Sequence, residues 1–186
     1  MELLVLGLVA TIGFASYALW SKARADETPT PPLPELESHE RTLQTLQVSD
    51  VVEHLGGDWL VEGVLQLSEE GRAARLYRLA DGAAERYLFA AGDEGDPLWL
   101  EKTAISVEGT PETLLYAGDT YSLKTRASGA VVRAGTVGDR RGGERLTVVE
   151  YAAGASRLLL LAWTDRGEVF AGERASAHLF DLLPGK

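Results

Sequence analysis

The chain has 186 residues, a formal net charge of −10 and no cysteine. Hydrophobic residues make up 45% and charged residues 25%, a globular balance rather than a disordered or fibrous one. The acidity argues against a general nucleic-acid binder, whose phosphate contacts need clustered Lys and Arg. The lack of cysteine excludes disulfides, a thiol nucleophile and Cys-ligated metal.

Leu3 to Trp20 is an uncharged, largely apolar run. As a helix it spans roughly 27 Å, close to the hydrocarbon thickness of a bilayer. Tyr17 and Trp20 sit where an aromatic belt would lie, and Lys22 and Arg24 follow at once. Residues 1–25 are therefore expected to be a transmembrane anchor that meets the membrane through residues 3–20. The positive-inside rule makes it single-pass in the inner (cytoplasmic) membrane, with the C-terminal domain in the cytoplasm. The competing reading is a signal peptide cleaved after Ala23-Arg24-Ala25, which would give a secreted or periplasmic protein; its n-region fits badly, holding Glu2 and no Lys or Arg.

Residues 26–42 contain Pro29, Pro31, Pro32 and Pro34 and five acidic residues against Arg41. Proline fixes φ and favours extended chain, so this reads as a semi-rigid acidic linker. Leu36, Leu43 and Leu46 then share one helical face for a short stretch.

Residues 43–186 read as one β-rich domain. Strands are predicted at Asp58–Leu67, Arg75–Leu79, Arg86–Phe89 and Leu98–Lys102, with turns at Glu69-Glu70-Gly71, Asp81-Gly82 and Gly92–Pro97. A second series covers Tyr121–Lys124, Ala130–Gly135, Arg145–Tyr151, Arg157–Trp163 and Glu168–Glu173. Arg157–Trp163 is a continuous apolar run, as in a strand buried on both faces. Ala177–Leu183 predicts a short helix or a final strand. RLYRLADGAAERYLFA and LTVVEYAAGASRLLLLAW share a strand, a glycine turn and an Arg-led strand, with Gly82 and Gly154 in similar places. This fits either an internal repeat or two ordinary hairpins. The expected fold is mainly β: two packed antiparallel meanders, as a sandwich or a partly open barrel. Trp59, Trp99, Trp163, Phe89, Phe170, Leu65, Leu158 and Leu160 are the expected core anchors.

The patterns Leu46–Val52, Gly57–Leu65 and Leu98–Glu101, followed by Tyr151, Trp163 and Gly172-Glu173, resemble a bacterial domain-of-unknown-function family, number 4178. Its members open with an L-x-V-G-D segment and a V-x-G-x-L strand, and carry a later Trp-containing strand. The resemblance covers roughly residues 44–175. It implies a compact β-rich domain and a role in an envelope or stress-related assembly, and it carries over no catalytic residue. Ser49 departs from the family, which favours Gly there, so a less tight turn is expected at that point.

No motif carries chemistry outright. His39, His54 and His178 form no metal-spaced pair, and nucleophile-elbow, P-loop and dinucleotide fingerprints are absent from the sequence. The densest group of candidate ligands is Asp50, Glu53, His54 and Asp58, against a bland reading as a solvated acidic loop. Arg140 and Arg141, in a Gly-rich turn, are the candidate anion or lipid contact. No catalytic residue, metal site or cofactor is therefore assigned. The leading expectation is a membrane-anchored, non-enzymatic module that binds a protein partner. The alternatives are a β-barrel holding a small apolar or cationic ligand, a cation being held through carboxylates and Trp faces, and a metal-dependent hydrolase around His54.

Overall fold

The computed structural model describes residues 40–185 apart from 70–71, 93–94, 138–143 and 165–166. The apolar run Leu3–Trp20, the prolines of the linker, His39, the turn at residues 70–71 and the Arg140-Arg141 turn lie outside the described residues. Among the described residues no helix is long and apolar enough to cross a membrane.

The strands are β1 (Val51–His54), β2 (Gly57–Glu69), β3 (Arg72–Asp81), β4 (Ala84–Ala91), β5 (Leu98–Val107), β6 (Thr113–Tyr116), β7 (Asp119–Gly135), β8 (Arg145–Ala153), β9 (Ser156–Ala162), β10 (Gly167–Arg174) and β11 (Asp181–Leu183). A short 3-10 turn, Ala177–Leu179, precedes β11. Both readings of the C-terminal segment thus hold, in succession. Every pairing is antiparallel, in the order β11-β1-β2-β3-β4-β5-β10-β9-β8-β7-β6.

The β2–β5 and β7–β10 meanders are joined edge to edge rather than face to face. β5 pairs with β10 along Leu98–Val107, and β2 pairs with β7 from Gly63↔Gly135 to Ser68↔Ala130. The second pairing closes eight strands into a ring. The fold is a closed barrel, neither a sandwich nor a partly open one, and closure removes the sheet edges that an open meander exposes.

Glycines stand along both seams because the strands approach too closely for a side chain. A Cβ on Gly172 would lie 2.0 Å from the Trp99 carbonyl oxygen, and one on Gly129 would lie 2.3 Å from that of Ser68. β7 also runs unbroken through Thr125–Gly129, where the sequence suggests a gap between two strands. That stretch is poor in β-formers, and its pairing with Val149, Val148, Thr147 and Leu146 of β8 imposes the strand.

The two halves repeat one another, β1–β5 matching β6–β10. The first hairpin of each turns through two positive-φ residues, Leu55-Gly56 and Ala117-Gly118. Each long strand then bulges at the same place, with Glu62 and Lys124 as the extra residues. The β3–β4 and β8–β9 hairpins turn at Gly82 (φ 58) and Gly154 (φ 59), each the first central residue of a two-residue loop. The resemblance of the two halves is therefore a structural repeat.

Three apolar clusters follow from strand alternation. Leu65, Leu76, Phe89, Leu98, Leu159, Trp163 and Phe170 are among those that fill the barrel interior. Val52, Val61, Tyr77, Leu79 and Leu88 form an outer cluster under residues 43–46 and the C-terminal segment, with Trp59 and Trp99 half-buried against it. Leu114, Tyr121, Val149, Tyr151, Leu158 and Leu160 form the outer cluster of the second half. Leu158–Leu161 are buried in succession, so β9 is covered on both faces. The Leu36–Leu46 face reduces, among the described residues, to a single turn in which the Thr45 and Leu46 amides donate to the Thr42 carbonyl.

Candidate functional site

The four-residue group Asp50, Glu53, His54 and Asp58 is divided between opposite faces of β1. Val52 and His54 point to the outer cluster, while Val51 and Glu53 point away from it. Asp50, just before the strand, is 1% exposed and fully engaged. It pairs with Arg41 at 3.0 Å and accepts the amide hydrogens of Gln47 at 2.7 Å and Gly185 at 2.8 Å. It is a clasp that fastens both ends of the domain onto β2, whose Val61 amide also donates to the Asp50 carbonyl.

His54 is buried as well. Its Nδ1–H donates to the Leu179 carbonyl at 3.0 Å, and its ring stacks on Phe180 with centroids 4.1 Å apart. Trp99 lies 4.8 Å from the same ring, and Trp59 meets Trp99 edge-on at 5.4 Å. Glu53 stands opposite Asp58 on β2 and Asp181 on β11, a row of three carboxylate-bearing positions across three strands. Among the described residues no three His, Asp or Glu groups are placed to hold a metal ion. Asp96, in the Gly92–Pro97 turn, accepts the Ala177 amide hydrogen at 3.0 Å; residues 93 and 94 lie outside the described residues.

The aromatic face that would suit a cationic ligand is occupied by the chain itself. The Arg86 guanidinium lies 5.7 Å from the Trp59 ring centroid and pairs with Glu101 at 2.6 Å. The barrel interior is filled with leucine and aromatic side chains, and an eight-stranded barrel is narrow enough for side chains alone to fill it.

Ion pairs border that apolar interior. Glu150, 9% exposed, takes Arg174 at 2.6 Å and Arg157 at 3.3 Å. At the matching place in the first half the signs are reversed, with Arg78 facing Glu85 at 3.0 Å. Glu85 also accepts the Tyr87 hydroxyl. Burial pushes the Glu85 carboxyl up, but hydrogen bonds from Tyr87 and Arg78 outweigh it and hold the group below the usual carboxylate range. Burial and the bond to Glu85 hold the Tyr87 phenol well above its ordinary value.

One further feature is not apparent from sequence motifs. A groove of about 560 Å³ on the outside of β2, β3 and β7 is lined by Gln44, Gln47, Gln66 and Arg75 together with Leu46, Val48 and Val64. Alternation along β3 places Arg75 on the outer face, since its neighbours Ala74 and Leu76 belong to the interior. That signal was available in the sequence. The covering segment was not, because nothing local places Gln44–Val48 over β2.

The described domain is thus a closed antiparallel barrel of two repeats, with apolar cover on two outer faces. The chain belongs to the family described as domain of unknown function DUF4178, whose model matches residues 47–177. No curated protein matches it, and no solved structure matches it.

Proposed function

We propose that the protein is a membrane-anchored, non-enzymatic interaction module of a bacterial envelope or stress-related assembly. In this reading residues 3–20 hold it at the inner membrane, the acidic Pro-rich linker spaces the barrel from the bilayer, and the barrel surface binds a protein partner in the cytoplasm. Tethering raises the local concentration of the domain without new contacts.

The observation that supports binding is an apolar row on the outward face of the β11-β1-β2 ribbon. Leu183, Val51 and Leu60 are cross-strand neighbours there, and Leu183 and Leu60 are 43% and 44% exposed. Leu55 at the adjoining hairpin tip is 84% exposed. Exposed leucines flanking Val51 in one cross-strand row are the kind of surface that partner proteins bury.

Affinity recovery of the full-length chain from solubilised membranes tests this. A stoichiometric partner is expected with the wild type, and its loss with Leu60→Ser combined with Leu183→Ser. Recovery of the protein alone, or equal recovery by the variant, overturns the interaction reading. A mature N-terminus at Asp26 overturns the anchor.

A further inference from the structure

Arg75 differs from five arginines of the domain that are ion-paired, some on the inner face of the barrel and some on the outside. Arg41, Arg78, Arg86, Arg157 and Arg174 each hold a carboxylate. The Arg75 Nε is fully buried and has no hydrogen-bond partner, and the guanidinium has no ion-pair partner among the described residues. In a chain with 28 acidic and 18 basic residues, an unpaired half-buried cation is unexpected. A buried charged donor without an acceptor carries a desolvation cost that a native fold seldom leaves uncompensated.

The internal repeat sharpens the point. Arg75 is the cross-strand partner of Gln66, and the matching pair in the second half is Thr147 with Ser128. Those two hydroxyls bond each other at 2.8 Å and close the position. In the first half the same position carries a guanidinium and an amide that do not bond each other, and it opens into the groove beneath Gln44–Val48. Among the described residues, no acidic side chain lines that groove. The lining combines the amides of Gln47 and Gln66 with the apolar side chains of Leu46, Val48 and Val64.

We propose that this groove binds a carboxylate-bearing ligand. The carboxylate seats on the Arg75 guanidinium, whose planar donors match its two oxygens. The aliphatic part of the ligand lies against Val48 and Val64. A single guanidinium suits a monoanionic carboxylate better than a phosphate dianion, which one cation neutralises only in part. The ligand is either a free small acid or an acidic side chain of a peptide, and the two differ in how much of the apolar lining they use. The site is separate from the leucine ribbon, so failure there and failure here are distinguishable.

Calorimetric titration of the full-length chain in detergent tests it, with butyrate, the blocked peptide N-acetyl-Leu-Glu-Leu-amide and inorganic phosphate as probes. Butyrate or the peptide is expected to bind, and Arg75→Ala to weaken that binding tenfold or more while leaving the thermal midpoint unchanged. Tighter binding of the peptide identifies a protein segment as the source, and equal or tighter binding of butyrate a free acid; either supports the site. Gln66→Leu, which retains Arg75, gives a second variant with a smaller loss should Arg75→Ala fail to fold. No binding of either carboxylate at millimolar concentration, binding unchanged in both variants, or phosphate binding tighter than both overturns the proposal.

Discussion

Ser49 adopts φ 77, a left-handed conformation that a side chain makes costly. The turn it completes is nevertheless tight. The Asp50 amide donates to the Gln47 carbonyl at 3.1 Å, and the Ser49 amide donates to that of Val61 at 2.9 Å. The loose turn expected from the departure at this position is therefore not what forms; serine takes up the conformation that glycine would adopt freely. The clasp around Asp50 requires it, because Arg41, Gln47 and Gly185 all converge on that carboxylate. Ser49→Gly is expected to stabilise the domain by about 0.5–1 kcal/mol, the left-handed strain of about 1–2 kcal/mol less the extra chain entropy of glycine. Urea denaturation measures it, and an unchanged or lower midpoint would contradict the assignment. The clasp also shows why the Asp50–Asp58 cluster could not be interpreted from spacing alone. Four polar residues within nine positions look like one site, but a strand sends alternate residues to opposite faces. Asp50 and His54 were removed from solvent by segments near residues 41 and 180, which no local pattern indicates.

At the level of elements, the strands were mostly legible and their assembly was not. β2, β3, β4, β8, β9 and β10 follow from alternation and turn residues, whereas β1 and β6 are four residues each and too short to register. Whether two meanders stack or join depends on their edges. The glycines at the seams were visible only as glycines, since close approach is a property of the partner strand. This leads to a prediction about closure. Gly172→Ala places a methyl group where the Trp99 carbonyl oxygen stands, and Gly129→Ala does the same at Ser68. Neither glycine has a positive φ, so the effect is steric alone. Each substitution is expected to cost about 2 kcal/mol, in the range of other overpacking changes, and to lower the thermal midpoint by about 4–8 °C. Calorimetry checks it, with wild-type stability in both variants as the contrary result.

At the scale of the molecule, three tyrosine hydroxyls hold different layers together. Tyr77 donates to the Leu43 carbonyl at 2.6 Å and fixes the N-terminal cover, while Tyr151 donates to the Pro111 carbonyl at 2.8 Å and fixes the connection between repeats. Tyr87, on the inner face, donates to Glu85. Burial raises all three phenols above the ordinary value of 10.0. A group whose pKa is higher folded than unfolded contributes stability that is complete below the unfolded value and is lost as pH rises through the folded one. The loss therefore begins near pH 10, where the unfolded tyrosines ionise and the folded ones do not. It has a structural meaning, since a phenolate can no longer donate to a carbonyl. The thermal midpoint is expected to hold between pH 7 and 9 and to fall by several degrees between pH 9.5 and 11. Replacing Tyr77 and Tyr151 together with Phe should lower the midpoint at pH 8, at about 1 kcal/mol for each hydrogen bond, and flatten the alkaline limb. A limb of equal steepness in the double variant would place the alkaline sensitivity elsewhere in the barrel.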